Sequence, residues 1–382
     1  MRIVVLGGAG YQATVTVKDL VSSGVEEIII ADRNIDRANK LANDLSTNST
    51  RVSAVLTDAD SHESLVSVMK GADAVASGLG PYYKYGAQAI KAAIDAGVPF
   101  ADINDDYDAT RECLSLDDAA KKAAVTVLVG IGASPGMTHI IAKYGANQLD
   151  KTDKIHGYWA ASAIEPSGIA VGLHSLHAQT GLIPTFRNGK LVDVKAFSEK
   201  ETVDFLDPIG TQEVHQFGHP ETITIPMYIK GLNEVALKGG MFPTSLDKFY
   251  ELLAYFDFSS KEPVQINDCT VIPAEITNEL IHHASIFRTA EMEGPREGFG
   301  TVVDVIGSKG KDGMRYRYSW NGRMHHLTGI ALSIGVQMLA HGDIQAPGVF
   351  APEGAVNPTK FLDEWKKRGL KIIEEVTTSH EL

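Results

Sequence analysis

The first 130 residues alternate short apolar runs with amphipathic stretches. Runs at 2–6, 27–31, 51–57, 73–77, 100–103 and 126–130 have the length and apolar, β-branched content of buried strands. Between them, 11–23, 36–45, 63–70, 86–96 and 116–124 carry apolar residues at helical spacing, with Gly24 and Gly97 placed as C-caps. Six strands alternating with helices predict a doubly wound parallel Rossmann sheet. After a Gly/Pro-rich crossing at 130–137 and a helix at 138–147, the pattern changes from about residue 154. Stretches 155–162, 222–225, 234–238, 264–266, 301–307 and 315–320 read as strands, with hairpin turns at Asn188-Gly189 and Asp312-Gly313. An apolar helix at 327–339, an amphipathic helix at 359–368 and a late strand at 370–375 are expected to return to the first sheet. The predicted fold is thus α/β: a Rossmann domain, 1–137 and 325–382, interrupted by an inserted α/β domain, 138–324. The insertion carries a mostly antiparallel mixed sheet and is expected to serve substrate binding and dimerisation.

Composition narrows the function classes. A length of 382 residues suits two cores, and 44% hydrophobic with 22% charged residues is an ordinary globular mixture. No apolar run is long enough to span a membrane, and the apolar start at 3–6 is too short for a signal peptide, so a cytoplasmic protein is expected. Two distant cysteines, Cys113 and Cys269, imply no disulfide framework and fit a reducing compartment. A net charge of −13 with no Lys/Arg stripe argues against nucleic acid or an anionic membrane as partner.

The strongest chemical signal follows the first strand. Gly8-Ala9-Gly10-Tyr11-Gln12-Ala13 fits G-x-G-x-x-A between a strand and a helix. Gly8 allows the tight turn, Gly10 lets the backbone approach a pyrophosphate, and Ala13 keeps helix and sheet close. The N–H groups of the helix start, through Tyr11 and Gln12, face the phosphates. Asp32, 22 residues after Gly10, ends the second strand, where an acid accepts from ribose hydroxyls and repels a 2′-phosphate. The expected cofactor is NAD rather than NADP. Arg33 would stack on adenine or receive a phosphate, and Asp32 has the alternative role of a strand-end turn residue.

Substrates of doubly wound sheets bind at the carboxyl ends of the strands. After the fourth strand, Gly78 and Gly80 would pass close to the nicotinamide ribose, and Tyr82 or Lys84 would reach the reacting centre. After the fifth, Asp102-Ile103-Asn104-Asp105-Asp106-Tyr107-Asp108 is an acidic loop. Such acids hold an ammonium or act as general base; otherwise they cap the next helix. The histidines recur in no metal-ligand spacing, so no metal is expected; His325 and His326 read as surface or interface residues.

With these segments noted, the chain resembles the saccharopine dehydrogenase-like family, and within it the lysine 6-dehydrogenase branch. The resemblance rests on 5–10, Gly80-Pro81-Tyr82, 119–124, Gly132-Ala133-Ser134-Pro135-Gly136-Met137, 342–349 and Lys367-Arg368-Gly369. It implies a Rossmann domain with an α/β insertion, a homodimer, and redox chemistry at a C–N bond of an amino acid. It places Tyr82 near the substrate and Asp105 and Asp106 in a substrate-contacting segment, although the local sequence departs there. Asp32 points to the NAD-using branch, since saccharopine reductases prefer NADP.

The expected activity is oxidative deamination of an amino acid or amine such as lysine, with hydride passing to NAD. Tyr82, Asp105 and Asp106 are the expected acid/base and ammonium-binding residues, and His219, Lys230 and Arg296 are candidates for the substrate carboxylate. Two alternatives are a saccharopine reductase-type enzyme joining an amino acid to a carbonyl compound, and a non-catalytic NAD-binding regulatory protein. A short-chain-type reductase is disfavoured, because no Tyr-x-x-x-Lys pair occurs.

Overall fold

The computed structural model describes residues 1–165, 167–283 and 298–380. The chain divides into two compact units: Met1–Ile140 with His325–Leu370, and Ile141–Met324 with Lys371–Leu382.

In the first unit, β1 (Arg2–Leu6), β2 (Glu27–Asp32), β3 (Arg51–Leu56), β4 (Ala74–Ser77), β5 (Phe100–Asp102) and β6 (Thr126–Leu128) form one parallel sheet. A later strand, Gly348–Phe350, joins its edge beside β6, giving seven strands among the described residues. The spatial order is Gly348–Phe350, β6, β5, β4, β1, β2, β3. The chain therefore winds one way from β1 to β3 and the other way from β4, and β1 and β4 are neighbours at the reversal. Ile3, Val4, Val5, Ile28, Ile30, Val75, Phe100 and Val127 are fully buried, as expected of strands covered on both faces.

The helices are α1 (Tyr11–Ser22), α2 (Ile35–Leu45), α3 (His62–Met69), α4 (Tyr82–Ala96), α5 (Tyr107–Leu114) and α6 (Asp117–Lys122). Two depart from expectation. α4 begins at Tyr82 rather than residue 86, because Pro81 supplies its extended N-cap. The acidic loop is also shorter than expected, since Tyr107 and Asp108 already belong to α5. The apolar helix Met324–Ala340 buries most of its surface, which accounts for its nearly continuous apolar sequence. Helix Pro358–Lys367 buries Phe361 and Trp365, and Arg368 beyond it pairs with Asp19 of α1 at 2.9 Å.

The second unit is built on a mixed sheet. Its order is Glu201–Asp204, Thr211–Gln216, Glu234–Phe242, Lys151–Ser162, Phe299–Lys309, Asp312–Gly322 and Ile373–Ser379, with hairpin Leu182–Arg187/Lys190–Lys195 attached at Glu234–Phe242. Among the described residues only the pair Glu234–Phe242/Lys151–Ser162 is parallel. Asn188 and Gly189 turn with φ of 51° and 72°, as an Asn-Gly hairpin requires.

Three expectations fail here. The late strand is Ile373–Ser379 and pairs with Asp312–Gly322, so the tail beyond residue 370 belongs to the second unit, not the Rossmann unit. Residues 222–225, expected as a strand, lie in helix Glu221–Tyr228. There Thr222 Oγ1 donates to Pro184 O and Thr224 Oγ1 to Pro220 O, so buried hydroxyl bonding overrides β-propensity. The turn expected at Asp312-Gly313 falls on Gly310-Lys311 instead, because Lys309 pairs with Asp312.

Candidate functional site

The glycine turn lies at the switch point between β1 and β4. Gly7, not Gly8, takes the left-handed conformation, with φ of +61°. Its N–H donates to Ala31 O of β2, and Gly10 N–H donates to Gly7 O, each at 2.8 Å. A Cβ on Gly10 would come within 2.9 Å of Gly7 O, and one on Gly8 within 2.9 Å of Val5 O, so both positions demand glycine. Gly10 is the extended N-cap of α1, whose first turn starts with Tyr11, Gln12 and Ala13. N–H groups of a first turn have no carbonyl within the helix and are ready donors to phosphate.

Ala13 packs against the loop after β4: a Cβ on Gly78 would lie 2.8 Å from Ala13 Cβ. Gly78 N–H donates to Leu6 O at 3.0 Å, which ties this loop to the glycine turn. The small pair Ala13/Gly78 thus sets how closely α1 approaches the sheet. Gly80 joins Pro81 through a cis peptide and leads directly into Tyr82.

Asp32, half-buried at the end of β2, accepts from Ala9 N–H at 3.0 Å and from Asn34 N–H at 2.9 Å. It therefore has the strand-end turn role and also fixes its carboxylate beside the glycine turn. A carboxylate offers about four acceptor positions, so capacity remains for ribose hydroxyls. Arg33 is exposed at the next position. The close-packed turn, the helix start and the placed acid fit a dinucleotide.

Helix Met324–Ala340 crosses α1 at Gly329, where a Cβ would meet Val15 Cβ at 2.6 Å and Gln12 O at 2.7 Å. Thr16 Oγ1 donates to Gly329 O at 2.9 Å, and the crossing brings the His325 ring to 4.5 Å from that of Tyr11. His325, expected as a surface or interface residue, is thus half-buried against the first residue of α1. No local pattern signals this, because 314 positions separate the two.

At the carboxyl end of β5 the acids differ sharply. Asp102 is buried, with Oδ1 accepting from Gly130 N–H at 2.8 Å and Asn104 N–H at 3.0 Å. Its Oδ2 is buried without a hydrogen-bond partner among the described residues. Burial pushes its pKa up to about 7, against the pull of those two bonds. Asp106 is buried too; Oδ2 accepts from Tyr83 N–H in the first turn of α4 at 3.1 Å, while its main chain caps α5. Asp106 therefore does cap a helix, but its side chain serves α4 rather than the one that follows it. Asp105 is half-buried between them.

Tyr82 is buried, and its hydroxyl has no hydrogen-bond partner among the described residues. Burial raises its pKa well above 10, and Asp102, Asp105 and Asp106, in that order, raise it further. It remains a phenol at neutral pH, suited to hydrogen bonding rather than to service as a phenolate. Asp102, passed over in the sequence as one acid among several, is the residue missed here. Lys84 is exposed and pairs with Asp60 at 3.2 Å.

Of the carboxylate candidates, Lys230 is exposed and donates to Met227 O, and Arg296 lies outside the described residues. His219, in the second unit, is buried and engaged at both nitrogens: Nδ1 meets Glu221 Oε2 at 3.1 Å and Nε2 meets His174 Nε2 at 3.2 Å. Trp159 and Phe217 flank it.

The saccharopine dehydrogenase NADP binding domain model matches residues 3–128, and the saccharopine dehydrogenase C-terminal domain model matches 132–370. A trans-acting enoyl reductase of Mycobacterium tuberculosis (strain ATCC 25618 / H37Rv) is 26% identical over 157 residues, covering 40% of this chain and 38% of that protein. The chain thus matches well under half of that relative's length. Among solved structures, the apo saccharopine dehydrogenase (L-Glu forming) from Saccharomyces cerevisiae is similar with a TM-score of 0.69. It is 14% identical, with 99% of this chain and 100% of that chain covered, a likeness of fold. Among the described residues no helix is long and apolar enough to cross a membrane.

Proposed function

The chain belongs to the saccharopine dehydrogenase family, and from that premise we propose that it is an NAD-dependent dehydrogenase acting on a C–N bond of an amino acid or amine, in the manner of lysine 6-dehydrogenase. The observation that carries this reading is the group at the carboxyl end of the Rossmann sheet, where Tyr82 lies among Asp102, Asp105 and Asp106. A site lined by acids suits an ammonium group and disfavours an anionic one. The pyrophosphate would rest on Gly8, Gly10 and the α1 start at Tyr11, Gln12 and Ala13. Asp32 would take the adenosine ribose hydroxyls, Arg33 the adenine edge, and Gly78 and Gly80 the nicotinamide ribose. NAD, when bound, supplies the hydride acceptor. Asp105 and Asp106 hold the ammonium, and Tyr82 orients the nitrogen until its proton leaves.

A second reading is reductive joining of an amino acid to a carbonyl compound by a saccharopine reductase-type enzyme, using NAD(P). The fold likeness over nearly the whole chain favours it. The deciding experiment follows NADH and NADPH formation or consumption across a panel of amines, amino acids and amino acid–carbonyl pairs, for the native protein and Asp32→Ala. Amine-dependent NADH formation, with preference shifting toward NADP in Asp32→Ala, is the expected result. An unchanged preference would remove Asp32 from the ribose site. Tight NADH binding without hydride transfer in either direction would leave the non-catalytic alternative.

A further inference from the structure

The buried oxygen of Asp102 and the buried hydroxyl of Tyr82 raise the same question, because neither has a hydrogen-bond partner among the described residues. Buried polar atoms left unsatisfied cost about 1–3 kcal/mol each, so two of them on adjoining elements at the carboxyl edge of the sheet call for a cause. Tyr82 opens α4 immediately after the Gly78–Gly80 turn, and Asp102 ends β5. Both therefore stand at the carboxyl edge of the sheet, where doubly wound folds do their chemistry. Of the charged groups acting on the Tyr82 hydroxyl, Asp102 is the foremost.

We propose that Asp102 is a positioning residue that shares a proton with Tyr82 through a bridging water, and so sets whether Tyr82 accepts or donates a hydrogen bond toward the substrate nitrogen. With Asp102 ionised, the phenolic proton points toward Oδ2, and the Tyr82 oxygen presents lone pairs to an ammonium. With Asp102 protonated, the acid donates back along the same path, and the Tyr82 O–H turns outward as a donor. One substrate N–H proton passes to the Tyr82 oxygen while the phenolic proton passes through the water to Asp102 Oδ2. The ammonium becomes an amine and the carboxylate becomes an acid, and the neutral amine is the form that could give up hydride to a bound NAD and become an iminium ion. The later steps need a donor at the nitrogen or carbonyl, which the protonated state supplies. A group doing this must change protonation near neutrality, and Asp102 is held in that range by burial.

The ionisable groups bearing on this pair are Asp105 and Asp106 of the same loop and Cys113 on α5. Asp105 favours a proton on Asp102 and Asp106 bears on Tyr82, whereas the thiol is pushed up by burial and stays neutral. Asn104 donates to that sulfur at 3.7 Å, which occupies its amide away from Asp102 Oδ2.

The step rests on the amine-dehydrogenase reading, but the proton sharing does not, and one experiment separates them. The Asp102 carboxyl, assigned by its loss in Asp102→Asn, is titrated by carbon-13 NMR in the native protein and in Tyr82→Phe, each with and without NADH. The expected outcome is a native midpoint near neutrality that moves by about half a pH unit or more in Tyr82→Phe. An ordinary acidic midpoint, or one indifferent to Tyr82→Phe, overturns the proposal even if amine oxidation is found. If the coupling is present and no amine is oxidised, the amine reading falls and the shared proton stands. Where activity is found, Asp102→Asn, which keeps an acceptor for Gly130 and Asn104, should lose the neutral limb of the kcat profile. A purely structural role would instead lower kcat equally at every pH.

Discussion

In the second unit, Glu221 meets His219 at 3.1 Å and His219 meets His174 at 3.2 Å, and all three are buried. Nearby, His215 lies 3.2 Å from Asp247, whose Oδ1 also accepts from Met241 N–H. In the first unit, Asp102 is equally buried, yet it takes hydrogen bonds only from two backbone N–H groups among the described residues. Its remaining neighbours are a phenol, a thiol and more acids. Burial of a carboxylate is offset by an imidazole in one unit and by a proton in the other. The first solution is rigid, since a carboxylate held against Nδ1 and a second imidazole against Nε2 fix the orientation of the ring. The second is switchable, since a group held near neutrality changes state with its surroundings.

The largest test breaks the rigid side. Glu221→Leu leaves His219 Nδ1 without its acceptor and should cost about 3–5 kcal/mol, whereas Glu221→Gln retains an acceptor oxygen and should cost much less. Trp159, whose ring centroid lies 6.2 Å from that of His219, gives a local fluorescence signal for urea unfolding. Equal effects of Leu and Gln would show that the contact does not hold the unit together.

The next test has the opposite sign. The Asp102 carboxyl is raised on folding from 3.8 to about 7, so its favourable contribution is complete below about pH 4 and lost as pH rises to about 7. Asp102→Asn should therefore gain on the native protein across that window and level off above it. The difference between pH 4 and pH 8 is on the order of 4 kcal/mol. Thermal unfolding at several pH values measures this, and a pH-independent difference would refute switchable burial.

The smallest effect belongs to Asp106, which shares the loop but is offset by the N–H of Tyr83 at the start of α4. Asp106→Ala should cost about 1 kcal/mol, the usual loss of a helix N-terminal cap. Urea midpoints would reveal a larger loss if Asp106 supports more than α4.

These contrasts also explain what could be read along the chain. The glycine turn was legible because Gly8, Gly10 and Ala13 meet local steric demands within one turn. Even there the left-handed residue is Gly7, which stands just before the motif. Asp32 was legible because the end of β2 has a fixed relation to that turn. Asp102 was not: its burial depends on Gly130, 28 positions away, and a strand-end aspartate looks the same whether buried or exposed. Residues 222–225 misled because β-branched side chains favour strands only where a sheet receives them, and here they pack within a helix that even contains Pro226. His325 and the tail strand were hidden for a similar reason, since both are placed by partners far off in sequence.

The late arrivals have a consequence for biogenesis. The parallel sheet gains its edge strand only with Gly348–Phe350, and the mixed sheet gains Ile373–Ser379 still later. During synthesis, β6 and Asp312–Gly322 each wait with an open edge while the intervening chain emerges. Open edges pair readily with other strands, so the nascent chain passes through a period of exposure to aggregation. Each unit thus keeps an open strand edge until a segment much later in the chain arrives to cover it.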